Sequence, residues 1–164
     1  MGAIISDCGL YRYRLERPDV FGDFATAVIM VNPSTADATR DDATIRKLIG
    51  FRNRKGWGHL IVGNLFAYRA TDVRELSGVA DPVGPQNDEY LHEIFRAVHR
   101  VVFAWGPVIK QPRDWRGRWK RVHEIARFHG HAPVCIGEPA KDGHPKHPLM
   151  LAYEMPLIAW QPPC

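Results

Sequence analysis

Ala25-Thr-Ala-Val-Ile-Met-Val31 is a near-continuous apolar run that stops at Asn32-Pro33-Ser34-Thr35-Ala36-Asp37, and Leu60-Ile-Val-Gly63 stops the same way at Asn64-Leu65-Phe66-Ala67-Tyr68-Arg69. Runs without polar alternation are the pattern of parallel strands buried on both faces. Between them Ile45, Leu48, Ile49 and Phe51 recur at helical spacing behind Asp41 or Asp42, either of which can cap a helix. Ala25 to Arg69 therefore reads strand, loop, helix, strand, loop. In open α/β sheets ligands bind outside the carboxyl ends of the strands. Asn32 and Asn64 stand at two such ends.

Working outward, Leu10 to Leu15 alternates as an edge strand with one wet face would, and Pro18 ends it. On the other side, Thr71 or Asp72 can cap a short helix to about Leu76, and Asp88 to His99 is amphipathic. Val101-Val-Phe-Ala-Trp105 and Val134-Cys-Ile-Gly137 are two more buried runs, separated by an Arg/Trp segment expected to be helical to about His129. Glu138 to Pro148 is a polar loop carrying His144-Pro145 and His147-Pro148, and Leu157 to Trp160 suits a short last strand. The pattern predicts an α/β fold: a three-layer α/β/α sandwich with a mostly parallel four-stranded central sheet plus short edge strands, as a single domain over residues 1–164.

The chain has 164 residues, 45% of them apolar, enough for one adequate core and without an apolar run of membrane length. Three cysteines without metal spacing and no signal-like start lead us to expect a cytoplasmic, reduced, monomeric protein that keeps off membranes. No His pair flanks a catalytic Glu at helical spacing, and no phosphate-loop or dinucleotide fingerprint is present, so neither metal nor cofactor is expected. The net charge is +4, with arginines grouped around Arg46, Arg52 and Arg54 and again around Arg116, Arg118 and Arg121, where Trp115 and Trp119 are interleaved. Such grouping suits phosphate contact and base stacking as well as a solvated face.

Four loops leave carboxyl ends of buried strands, with Asn32-Pro33, Asn64-Leu-Phe-Ala-Tyr-Arg69, Trp105-Gly106 and His144-Pro-Lys-His147-Pro-Leu149 in that order. In this order and placement the chain resembles the uracil-DNA glycosylase superfamily, and the resemblance covers roughly Ile29 to Leu149. Asn-Pro is similar to the first motif of its mismatch-specific and thymine-type branches. The chain also resembles a bacterial domain family of unsettled function that shares Asn-Pro-Ser, Asp-Asp-x-Thr and His-Pro-Leu. Two departures stand out. No Asp precedes Pro33, and the His-Pro motif lies farther past its strand, with an extra residue between its prolines.

The resemblance implies a monofunctional DNA glycosylase that flips uracil, or a related deaminated or modified base, from single- or double-stranded DNA and hydrolyses its N-glycosidic bond, releasing the free base. Asn64 would read the base edge, since a carboxamide pairs one acceptor with two donors. Asn32 would position the water, and Asp37, Asp41 or Asp42 could replace the missing carboxylate as its activator. His144 or His147 would stabilise charge developing on the base, with the sequence leaving the choice open. Phe66 or Tyr68 would stack on the base, beside Pro33 and Ser34. Ser34, Arg69, Arg52, Arg54, Arg116 and Arg118 would meet phosphates. Two other readings stand beside it: a non-catalytic binder of nucleic acid or nucleobase, and a small-molecule nucleoside or nucleotide hydrolase.

Overall fold

The structure, a computed structural model, describes residues 1–20 and 22–164. Its core is a seven-stranded mixed sheet in the order β1-β2-β4-β3-β5-β6-β7. The strands are β1 (Gly2–Ile5), β2 (Arg12–Arg17), β3 (Ala25–Met30), β4 (His59–Asn64), β5 (Arg100–Phe103), β6 (Val134–Ile136) and β7 (Leu157–Ala159). Parallel pairing joins β4, β3, β5 and β6, while β1, β2 and β7 run antiparallel at the margins. The expected four-stranded sheet is therefore only the middle of a larger one.

The two central strands behave as their composition requires. Every residue of β3 is buried, and β3 pairs with β4 from Ala25 opposite His59 to Met30 opposite Asn64. Between them α1 (Ala43–Lys55) starts at Asp42, whose Oδ1 accepts the N–H of Ile45 at 2.9 Å, and stops at Gly56 in the left-handed region, φ 62°. That φ suits glycine because no Cβ meets the following carbonyl. Ile45, Leu48 and Phe51 of α1 pack on Val28, Met30 and Val62 of the sheet. On the opposite face Leu91, Ile94 and Phe95 of α2 (Asn87–Ala97) and Val122 and Ile125 of α3 (Arg118–Phe128) pack on Ala27, Ile29 and Ile61. Helices thus cover both faces, and the loops after β3 and β5 leave toward opposite faces. That divergence opens a crevice between neighbouring strand ends.

Two expectations need correction. The strand read as a wet edge is second from the margin, because β1 pairs outside it, and its Arg12 and Arg17 are 3% and 2% exposed. The Arg/Trp segment begins as two 3-10 turns, Val108–Lys110 and Arg113–Trp115, and becomes α-helical only at Arg118. Pro112 and Gly117 interrupt the segment, and each disfavours a continuous helix. Among the described residues no helix is long and apolar enough to cross a membrane.

Candidate functional site

At the carboxyl ends of β3 and β4 lies a cleft of about 780 Å³. Asn32, Ser34, Asp42, Asn64, Trp105 and His147 line it together with Arg12 and Lys110. The strand ends and the first turn of α1 are its walls. Ala70 to Arg74 closes one side through a capping box in which Asp72 accepts the N–H of Arg74 and Glu75 accepts that of Asp72.

Asn64 is the most unusual residue in the cleft. It is 1% exposed, yet neither its Oδ1 nor its Nδ2 meets a hydrogen-bond partner among the described residues. Buried carboxamides are ordinarily paired, and an unpaired one costs ~1–3 kcal/mol. Gln111 is equally buried and unpaired, but it does not line the cleft. Asn64 shares the α1 side of the sheet with Val62 and Leu60, two and four residues back along the strand.

Asn32 is partly committed. Its Nδ2 donates to the carbonyls of Ala70 at 2.8 Å and Pro33 at 3.1 Å, which fixes the side chain and leaves Oδ1 free of protein donors among the described residues. Pro33 is buried and forms backbone structure: its carbonyl also accepts the N–H of Ala70 at 2.9 Å. Ser34 lines the cleft and an adjoining shallow depression that includes Arg69. Asp42 combines two positions, capping α1 with one oxygen while its side chain lines the cleft. Asp37 and Asp41 do not line it. Asp37 Oδ1 accepts the N–H groups of Thr39 and Arg40, which hold its carboxyl below the usual carboxylate range, and Asp41 pairs with Arg17 at 2.7 Å.

The two histidines part company. His147 lines the cleft, and its Nδ1 accepts the N–H of Leu149 at 3.2 Å, so the neutral ring carries its proton on Nε2. Burial holds its pKa below the ordinary value, with Asp42 pulling it up and Lys110 pushing it down. His144 does not line the cleft. It is 7% exposed, packs against Trp119 and Trp105, and accepts from the Trp105 indole N–H at 3.4 Å.

Other expected contacts are placed elsewhere. Phe66 is fully buried in the core on the α2/α3 side, because the chain turns after Asn64 and docks its N–H on the carbonyl of Val31 at 2.9 Å. Tyr68 packs edge-on against Tyr11 at 5.7 Å, away from the cleft. Of the arginines, Arg118 is buried, donating to the carbonyl of Leu65 at 2.9 Å and pairing with Asp88. Arg116 binds the carbonyls of Ile109 and Gln111, and Arg52 those of Arg17 and Pro18 near the opposite end of the sheet. Arg54 lies 3.9 Å over the Tyr153 ring, and Arg69 reaches the carbonyl of Gly9 at 3.3 Å. None of these five lines the cleft.

The structure also supplies residues that the sequence alone does not single out. Arg12 has the look of the wet side of an edge strand, Lys110 lies in a segment expected to be helical, and Asn87 has no pattern to mark it beyond being a polar residue that opens a helix. Asn87 Nδ2 donates to the carbonyls of Asn64 and Leu65, both at 3.1 Å. Among the described residues no group of three or more His, Cys, Asp or Glu side chains is arranged to hold a metal ion.

An α/β protein with a cleft of mixed polar and apolar lining at its parallel strand ends is the class that this fold and site define. The chain belongs to the family described as DUF1643, a protein of unknown function, whose model matches residues 12–149. The match takes in every cleft residue named above. No curated protein matches the chain, and no solved structure does.

Proposed function

We propose that the protein is a nucleobase-recognising N-glycoside hydrolase of the uracil-DNA glycosylase type, acting on uracil or a related deaminated or modified base extruded from DNA. The observation that carries this reading is the buried, unpaired carboxamide of Asn64, a residue that lines the cleft. A planar ligand edge offering one donor and one acceptor, as uracil N3–H and O4 do, satisfies it. Asn32 Oδ1, held by two carbonyl contacts on its amide nitrogen, then orients a water toward the sugar. His147, neutral with its proton on Nε2, donates to the oxygen where the departing base gathers charge. The carboxylate oxygen of Asp42 not used in capping is the group available to take the proton of the water.

A second reading, hydrolysis or binding of a small nucleoside or nucleotide, draws support from one observation: the arginines expected to follow a DNA backbone are folded into the protein's own structure. One experiment separates the two. Labelled single- and double-stranded oligonucleotides carrying one uracil are incubated with the protein and treated with alkali, and free deoxyuridine is followed in parallel. Strand breaks at uracil that Asn32→Ala and Asn64→Ala both abolish support the DNA glycosylase. Release of uracil from nucleoside alone supports the second reading, and inert substrates of both kinds overturn hydrolysis.

A further inference from the structure

β2 carries two buried arginines, and only one of them is satisfied. Arg17 pairs with Asp41 and donates to the carbonyls of Glu16, Asp37 and Arg40. Arg12 is as buried, at 3% exposure, and lines the cleft, but it has no carboxylate partner among the described residues. One nitrogen donates to the carbonyl of Ala36 at 2.6 Å, and its Nε meets no partner. A buried cation without a counter-ion is strongly disfavoured unless something else brings the negative charge.

The surroundings offer that charge a place. α1 is thirteen residues long and points its first turn, Asp42 to Ile45, into the same cleft. Asp42 caps the N–H of Ile45, while those of Ala43 and Thr44 meet no acceptor among the described residues. Free N–H groups at a helix start attract anions. Lys110 and Thr44 also line the cleft. Two carboxylates also line the cleft. Asp72 is neutralised by Arg74 at 2.6 Å, and Asp42 is the strongest charge acting on Arg12 without touching it. Desolvation lowers the Arg12 pKa to about 10, so the side chain stays cationic at neutral pH.

The geometry points to an anion subsite at the β2–α1 side of the cleft, where Arg12, the N–H groups of Ala43 and Thr44, and Lys110 hold the phosphate monoester of a mononucleotide whose base faces Asn64. The base half rests on the Asn64 reading above in its small-nucleotide form; the phosphate half stands independently of it on Arg12, Lys110 and the first turn of α1. The cleft volume of about 780 Å³ is that of a small-ligand pocket. A buried cation is also easier for a terminal phosphate to reach than for one joined to two sugars.

Calorimetry with inorganic phosphate, deoxyuridine, deoxyuridine 5′-monophosphate and a uracil trinucleotide lacking terminal phosphates tests this directly. The monophosphate should bind at least tenfold tighter than the nucleoside, and Arg12→Met should remove that difference while Asn64→Ala keeps it. Equal binding of nucleoside and monophosphate by the wild-type protein overturns the subsite, whether or not the variant folds. Phosphate binding lost in Arg12→Met, with no preference for a base, upholds the subsite and overturns the base reading. An equal gain from the trinucleotide overturns the monoester assignment and gives the phosphate to a strand.

Discussion

The side-chain nitrogen of Asn87 lies 3.1 Å from the main-chain oxygen of Asn64, and the guanidinium of Arg118 lies 2.9 Å from that of Leu65, the next residue. Two side chains from the α2/α3 side of the sheet thus fix the strand end that presents the Asn64 carboxamide to the α1 side. Asn87→Ala removes both of its bonds and leaves the turn after β4 short of donors. We expect a loss of about 2 kcal/mol, read from the urea midpoint. Ligand affinity should fall as well, although Asn87 does not line the cleft.

Arg118→Lys gives a sharper contrast between structure and nucleic-acid binding. Lysine cannot reproduce a guanidinium that serves the Leu65 carbonyl and Asp88 together. The expected outcome is a loss of ~1–3 kcal/mol in stability. The salt dependence of any DNA binding should be unchanged, because its slope tracks the number of phosphates the protein neutralises, about one unit for each. A shallower slope with intact stability would put this arginine on the DNA.

Asn64→Leu should separate fold from function in the other direction. The wild-type carboxamide has no bond to lose, so stability should hold or rise by about 1 kcal/mol by thermal unfolding. Base-dependent binding should vanish.

Asp42 holds two roles that one substitution can part. Asp42→Asn keeps an oxygen for the Ile45 N–H and should leave stability nearly unchanged, whereas Asp42→Ala should lose ~1 kcal/mol from the cap. If the carboxylate takes the proton from water, turnover falls in both. If turnover survives in Asp42→Asn, the water is activated elsewhere.

Four histidines, His123, His129, His144 and His147, have pKa values held down chiefly by burial. The unfolded chain therefore binds more protons than the folded one as pH drops through the ordinary histidine value of about 6.5. Stability is full above that pH and should decline below it, with a smaller decline in His144→Gln. Turnover that depends on neutral His147 should hold at neutral pH and fall on acidification below the same value. Denaturation midpoints and initial rates between pH 5 and 8 check both.

The parts legible in the sequence were those where local chemistry and tertiary setting agree. β3 and β4 are near-continuous apolar runs because both faces are covered, Gly56 ends α1 where a left-handed residue is needed, and Asn32 and Asn64 interrupt those runs where the sheet stops. What failed depended on partners distant in the chain. Arg12 reads as solvent-facing until β1 is known to lie outside it, and Gly2-Ala-Ile-Ile5 is too short to announce a strand. Phe66 has the right parity to face the ligand, but the strand ends two residues earlier and the turn redirects it. The arginine clusters look like a nucleic-acid face because composition does not reveal which carbonyls the guanidinium groups will find.

The cleft draws Arg12 from β2, Asn32 and Asn64 from the ends of β3 and β4, and His147 from a loop beyond β6. During synthesis most of the sheet can assemble while the last of these residues is still being added. The pocket closes only when His147 docks beside Gly106, whose missing Cβ makes room at 3.1 Å. Ligand binding is therefore a late event in the life of the chain, and a nascent or clipped molecule can hold a nearly complete sheet while remaining blind to its ligand.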